Sequence, residues 1–206
     1  MSDSYFSSET EFLLTGKNQA EKTFLQNYAL ADCSGMPKGM IPMCYPSDAY
    51  DAFIPNWGMW YILELEKYAN RWGRDEIIEQ SKAKVDGLLQ YFASKENEFG
   101  VLENLDGWVF VEWSSANDAS HIQGVNIPSN ICYAATLKAA ANLYAYEKLL
   151  KKADRIYTHI EMPLTAIADF AELGKADNRF AVLAQIVERN NGLWCAEAEQ
   201  YLLQNW

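Results

Sequence analysis

Nine consecutive residues, Asp106-Gly107-Trp108-Val109-Phe110-Val111-Glu112-Trp113-Ser114, bring two tryptophans, a phenylalanine and two carboxylates together. Aromatic faces stack on the apolar side of a pyranose, and carboxylates grip hydroxyls or move protons, so these residue types suit a sugar site. An extended backbone would set Trp108, Phe110 and Glu112 on one face and Val109, Val111 and Trp113 on the other. The same segment also suits a core pair of tryptophans with Glu112 as a surface or capping carboxylate. Asp48 and Asp51 stand in a proline-flanked loop, placed either for ligand hydroxyls or as turn residues. Trp57 and Trp60 have helical spacing, which more often builds core than a ligand wall. Asp3, Glu9 and Glu11 open the chain, where complementarity to a helix dipole explains them.

Other chemistries find no support. No serine–histidine–acid set, phosphate loop or dinucleotide glycine pattern is present. The chain has two histidines, His121 and His159. His159-Ile160-Glu161 begins like a zinc deaminase motif, but no Pro-Cys-x-x-Cys follows, so no metal and no cofactor are expected. Cys33, Cys44, Cys132 and Cys195 are scattered and read as free thiols.

These residues must be positioned by helices. Half of the 206 residues are hydrophobic and 22% are charged, enough for one domain with a core. The net charge of −11 repels phosphate backbones, which excludes nucleic acid as a partner. The most apolar stretch, Phe53 to Leu65, contains Asn56 and Glu64 and is too short to span a bilayer. The first residues lack the pattern of a signal peptide, so the sequence as written implies a cytoplasmic product.

The spacing predicts a helix from Ser4 to Thr15, with Tyr5, Phe6, Phe12 and Leu13 on one side, and another from Gln19 to Ala31, burying Phe24, Leu25 and Tyr28. Prolines and glycines exclude helix from Cys33 to Ala52. A hairpin follows: one helix from Pro55 to about Gly73, then one from Asp75 to about Lys95. Between Glu98 and Pro128 the chain leaves the helical register, with a short extended segment near 108–113. Ser129 is expected to cap a long helix from Asn130 to Tyr146 and on through Leu150, with Ala134, Ala135, Ala139, Ala140 and Ala141 permitting close approach. Shorter helices are expected at 164–173, 180–189 and from 193 onward. The sum is all-α, built from helical hairpins with loops on one side.

Five separated stretches carry a resemblance. They are Ser2-Asp3-Ser4-Tyr5-Phe6, Phe12-Leu13-Leu14-Thr15-Gly16-Lys17, Pro37-Lys38-Gly39-Met40-Ile41-Pro42-Met43-Cys44-Tyr45-Pro46, Phe53-Ile54-Pro55-Asn56-Trp57 and Gly107-Trp108-Val109-Phe110-Val111-Glu112-Trp113, with Gly124-Val125-Asn126 at a fitting distance. In this order they resemble the catalytic domain of bacterial α-L-rhamnosidases (glycoside hydrolase family 78 type) over roughly residues 2–145. The resemblance implies an (α/α) toroid of six hairpins, present here in part as a single domain over residues 1–206. Residues 147–206 form C-terminal helices of unrecognised origin. It implies inverting hydrolysis of terminal α-L-rhamnosides, in which an acid and a base stand roughly 6.5–9.5 Å apart.

The family's acidic motif survives only in Asp3, and no match for the general base is found. Asp3 and Glu112 are the candidate catalytic carboxylates, and Asp48, Asp51, Trp57, Trp108 and Trp113 the candidate substrate contacts. The expected function is therefore an α-L-rhamnosidase-type glycoside hydrolase, or a remnant of one, with a small carbohydrate as partner. The alternative is a non-catalytic sugar-binding or scaffold protein. Half a toroid leaves inner helix faces uncovered, so either the C-terminal helices fold back over the opening or two copies meet there, and a homodimer is the favoured expectation.

Overall fold

Proline at the first helical position costs no hydrogen bond, and Pro55 starts the central helix of the protein in this way. The computed structural model describes residues 2–32, 35–47, 52–110, 122–160, 197 and 200–201. Six helices lie among them: α1 (Ser2–Thr15), α2 (Gln19–Leu30), α3 (Pro55–Trp72), α4 (Glu76–Ala93), α5 (Ile127–Tyr144) and α6 (Glu147–His159). No strand occurs among the described residues, and Glu96 and Leu102 form an isolated bridge. The expected short helices after Pro163 lie outside the described residues.

The helix ends have local causes in some cases and tertiary ones in others. Asp75 caps α4 by accepting the Ile77 N–H at 3.0 Å. The first turn of α2 is capped from outside: Glu11 of α1 accepts the N–H groups of Ala20 at 2.9 Å and Glu21 at 3.2 Å. Two expectations need correction. Asn126, not Ser129, caps α5: its Oδ1 accepts from the Ser129 N–H at 2.9 Å and the Ser129 hydroxyl at 2.5 Å. The long helix also does not run on through Leu150. It stops at Ala145, whose φ of 57° is left-handed, and α6 begins two residues later.

The bonds between helices give their directions. Ser4 meets Glu64 and Glu9 meets Arg71, so α1 runs parallel to α3. Asn56 meets Ser129 and Glu66 meets Asn142, so α3 runs parallel to α5. Lys22 meets Asp75 and Lys84 meets the Ala31 carbonyl, so α2 runs parallel to α4. Within each pair α1–α2, α3–α4 and α5–α6 a turn of two or three residues reverses the chain. The result is three helical hairpins side by side, with α1, α3 and α5 in one row. The long connections, 31–54 and 94–126, both lead into helices of that row. Described parts of them meet at its N-terminal end, Phe53 with Trp108 and, beside them, Phe110 with Asn56 of α3.

The core lies between the rows. Tyr28, Tyr61, Tyr68 and Tyr133 are its largest buried side chains, joined by Leu25, Met59, Leu65, Leu88 and Phe92. Two of the buried hydroxyls find side-chain partners: Tyr61 donates to Ser81 at 2.9 Å and Tyr133 to Glu96 at 2.5 Å. The first helix departs from its expected pattern. Phe6 and Leu13 are exposed, while Tyr5 and Phe12 pack inward against Trp60 and Trp72. Ala134, Ala139, Ala140 and Ala141 are buried as expected of small residues at a helix junction. No helix among the described residues is long and apolar enough to cross a membrane.

Candidate functional site

The two long connections bring an aromatic wall to the start of α3. Asn56, buried in the first turn, is its hub: Nδ2 donates to the Ser129 hydroxyl at 2.8 Å, and Oδ1 accepts the Phe110 N–H at 3.2 Å. The Trp108 N–H donates to the Phe53 carbonyl at 3.2 Å. These bonds pin the 108–110 segment across the helix end. Phe110 then stands edge-on between two indoles, 6.3 Å from Trp57 at 78° and 5.4 Å from Trp108 at 74°. Such T-shaped contacts are favoured by ring quadrupoles and hold each ring at a fixed tilt.

Trp108 and Phe110 share one side and Val109 is buried on the other, as the alternation requires, although the segment is no strand. Trp108 is 47% exposed, so it is not the core residue that its type alone suggests. Trp57 is half-buried, and its Nε1 is sealed from solvent with no hydrogen-bond partner among the described residues. The wall thus combines a half-exposed indole, Trp108, with a buried indole N–H, that of Trp57. Trp60 lies elsewhere, half-buried against Tyr5 and Phe6 of α1. Asp3 is exposed in the first turn of α1. Asp48, Asp51, Glu112 and Trp113 lie outside the described residues.

A second polar cluster was missed by sequence reasoning. Glu64 is completely buried between α1 and α3; Oε1 accepts from the Ser4 hydroxyl at 2.6 Å and Oε2 has no partner among the described residues. Burial pushes its carboxyl up to about 8, against the opposing pull of the Ser4 hydrogen bond. Glu21, 2% exposed, accepts from Trp72 Nε1 at 3.2 Å and pairs with Arg71 at 3.5 Å. Burial raises its pKa too, while Arg71 opposes the rise. The available signal was the presence of Asn56 and Glu64 inside the most apolar stretch of the chain.

Elsewhere, a groove of about 300 Å³ lies between α4, α5 and α6, lined by Leu89, Leu137, Leu149, Asp86 and Lys152. Its charges are spent internally: Asp86 accepts from Lys82 and Tyr146, and Lys152 pairs with Glu96. Among the described residues no three histidine, cysteine, aspartate or glutamate side chains converge as metal ligands would. Cys44 and Cys132 form no disulfide.

No family model matches the chain. Over 48 residues, 23% of its length, it is 58% identical to a protein of Escherichia coli (strain K12) described as uncharacterized protein YggP, of which the match covers 11%. Over 146 residues, 63% of its length, it is 28% identical to the mannitol-1-phosphate 5-dehydrogenase of Aliivibrio fischeri (strain ATCC 700601 / ES114), of which the match covers 34%. The chain therefore spans about a tenth and about a third of these two relatives.

Proposed function

We propose that the chain binds a neutral, hydroxyl-rich sugar at the Trp57–Phe110–Trp108 wall, as part of an (α/α) toroid of the α-L-rhamnosidase type. The observation that carries this reading is the half-exposed Trp108 indole, held edge-on to Phe110 at the start of α3. A pyranose offers its apolar face to an indole exposed in this way. The parallel row α1–α3–α5, with long connections at its N-terminal end, is the arrangement that a ring of hairpins would have. An acidic surface also suits an uncharged ligand better than a phosphorylated one.

In the hydrolytic form of this reading, Asp3 and Glu112 supply the acid and the base, and Asp48, Asp51 and Trp113 complete the sugar contacts. In the alternative form the wall binds and nothing cleaves. Calorimetric titration with L-rhamnose tests the wall: saturable heat is expected, and Trp108→Ala should weaken it by about tenfold or more, the loss of one stacking face. No heat at millimolar sugar would end the proposal. Release of aryl alcohol from an aryl rhamnoside, abolished by Glu112→Gln, would then select the hydrolytic form.

A second reading comes from the relative named as a mannitol-1-phosphate 5-dehydrogenase. On that reading the ligand is a polyol phosphate, and mannitol 1-phosphate rather than rhamnose would give the heat.

A further inference from the structure

Helix α1 is attached to its neighbours mainly by polar contacts. None of its side chains belongs to the buried apolar cluster, and among its described residues Ser8 alone is buried. Ser4 donates to Glu64 at 2.6 Å, and Glu9 meets Lys67 at 2.7 Å and Arg71 at 2.9 Å. Lys67 and Arg71 also donate to the carbonyls of Tyr5 and Ser8, at 3.2 and 3.3 Å. Tyr5 on Trp60 and Phe12 on Trp72 add ring contacts, and Glu11 reaches the first turn of α2. An element that buries so little apolar surface opens at a lower free energy than the core. Its connection to α2 permits opening: Gly16 has a φ of +65°, a Cβ there would meet nothing within 4 Å, and Thr15 and Lys17 beside it are exposed.

What α1 covers is Glu64. This side chain is completely buried, with Oε1 accepting from Ser4 and Oε2 without a partner among the described residues. The titratable and charged groups around it are Tyr5 on α1, Glu21 on α2, Lys67 on α3 and the amino terminus. Neither nearby cation of α3 is free for it, because Lys67 is held by Glu9 and Arg71 by Glu9 and Glu21. Once ionised, Glu64 is a buried charge with one hydrogen bond and a second carboxylate in the neighbourhood, an unfavourable state. Lifting α1 brings water to the charge and leaves the apolar core intact. We propose that α1 is a hinged strap, which turns about Gly16 and leaves α3 when Glu64 gives up its proton, while the core helices stay folded. Burial pushes the covered carboxyl up to about 8, and water returns it toward 4.5 when the strap lifts. Between those values each pH unit raises the lifted fraction by up to about tenfold, and above about pH 8 the rise ends.

Hydrogen–deuterium exchange of the full chain, followed peptide by peptide and corrected for the intrinsic rate at each pH, tests this. At every pH the α1 amides are expected to exchange at least about tenfold faster than those of α3 and α4. Their corrected rate should rise by about tenfold or more from pH 5.5 to 8. Glu64→Gln, which cannot ionise, should remove most of that rise. Ile78→Val, a mild change in the core, should speed exchange in α3 and α4 by about threefold or more and leave α1 unaltered. Exchange of α1 in step with α3 and α4, or a pH rise that persists in Glu64→Gln, would overturn the proposal. So would α1 exchange that follows Ile78→Val, because α1 would then open only with the core.

Discussion

A carboxyl group buried beside a serine hydroxyl behaves differently from one in water, and Glu64 makes the difference measurable. Its folded pKa of about 8 stands above the ordinary 4.5, so between those values the folded chain holds a proton that the unfolded chain has released. Stability is then highest below about pH 4.5 as far as this group is concerned. It falls as pH rises and levels off above about pH 8, a loss of a few kcal/mol at most by linkage. Glu9 acts in the opposite sense: its hydrogen bond to Lys67 lowers its pKa, so its contribution is lost as pH falls. Glu64→Gln keeps the Ser4 hydrogen bond without a titrating group. Its melting temperature, measured from pH 5 to 8.5, should therefore decline less than that of the wild type, the remaining decline belonging to groups such as Glu21. Parallel profiles for the two proteins would mean that Glu64 releases no proton on unfolding. The anomaly was visible in the sequence as a glutamate inside an apolar run, yet its partner was not, because Ser4 lies 60 positions away. Trp108 shows the same limit. Its neighbours on alternate positions were legible, but whether the indole faced core or water depended on bonds to Phe53 and Asn56 that no local pattern encodes.

Backbone approach governs the elements. Gly39, with φ of +92°, lies against Gly87 of α4 so closely that a Cβ added to it would fall 2.2 Å from the Gly87 carbonyl oxygen. Gly73, with φ of +86°, ends α3 with open space around it. The two glycines share a positive φ and differ in surroundings. Gly73→Ala should cost about 1–3 kcal/mol, the strain of a positive φ with extended ψ alone. Gly39→Ala should cost at least about 2 kcal/mol more, because backbone must move away from backbone. Urea denaturation of both variants checks the ranking, and equal midpoints would show that the loop yields freely. Boundaries marked by residues with local causes were legible: Pro55 at a helix start, Asp75 as a cap, Gly73 as a stop. The break after α5 was not, because Ala145 is no helix breaker by type. Tertiary bonds accompany the turn: the Tyr146 hydroxyl donates to Asp86 at 2.7 Å and receives the Lys82 ammonium at 2.6 Å, which draws the chain onto α4. Asn126 displaced Ser129 as cap for a similar reason, since Ser129 is committed to Asn56 inside the junction of α3 and α5.

At the scale of the molecule the first two hairpins were readable from periodicity and turn length, whereas the third, with its break at Ala145, was not, and their parallel order in a row came from cross-helix pairs with no local signature. The charge balance was readable directly, and it carries a prediction of its own. Eleven excess negative charges repel one another across the folded surface and relax when the chain expands. Salt screens that repulsion over distances beyond the Debye length, which shrinks from about 30 Å at 0.01 M to about 10 Å at 0.1 M. It weakens short, sheltered pairs far less, and the pairs under α1 are of that kind: Arg71 is 11% exposed and Glu21 1% at the side chain, and Lys67 meets Glu9 at 2.7 Å. The exposed pair Arg74–Glu79, at 3.8 Å, adds little to begin with. Raising sodium chloride from 10 to about 200 mM should therefore increase the melting temperature by a few degrees, with most of the gain below about 100 mM, where the screening length falls fastest. A dilution series at each salt concentration separates this effect from any salt-assisted association. A melting temperature that falls with salt would place the balance in attractive surface pairs instead, and the acidic surface would then be an ordered network rather than a source of strain.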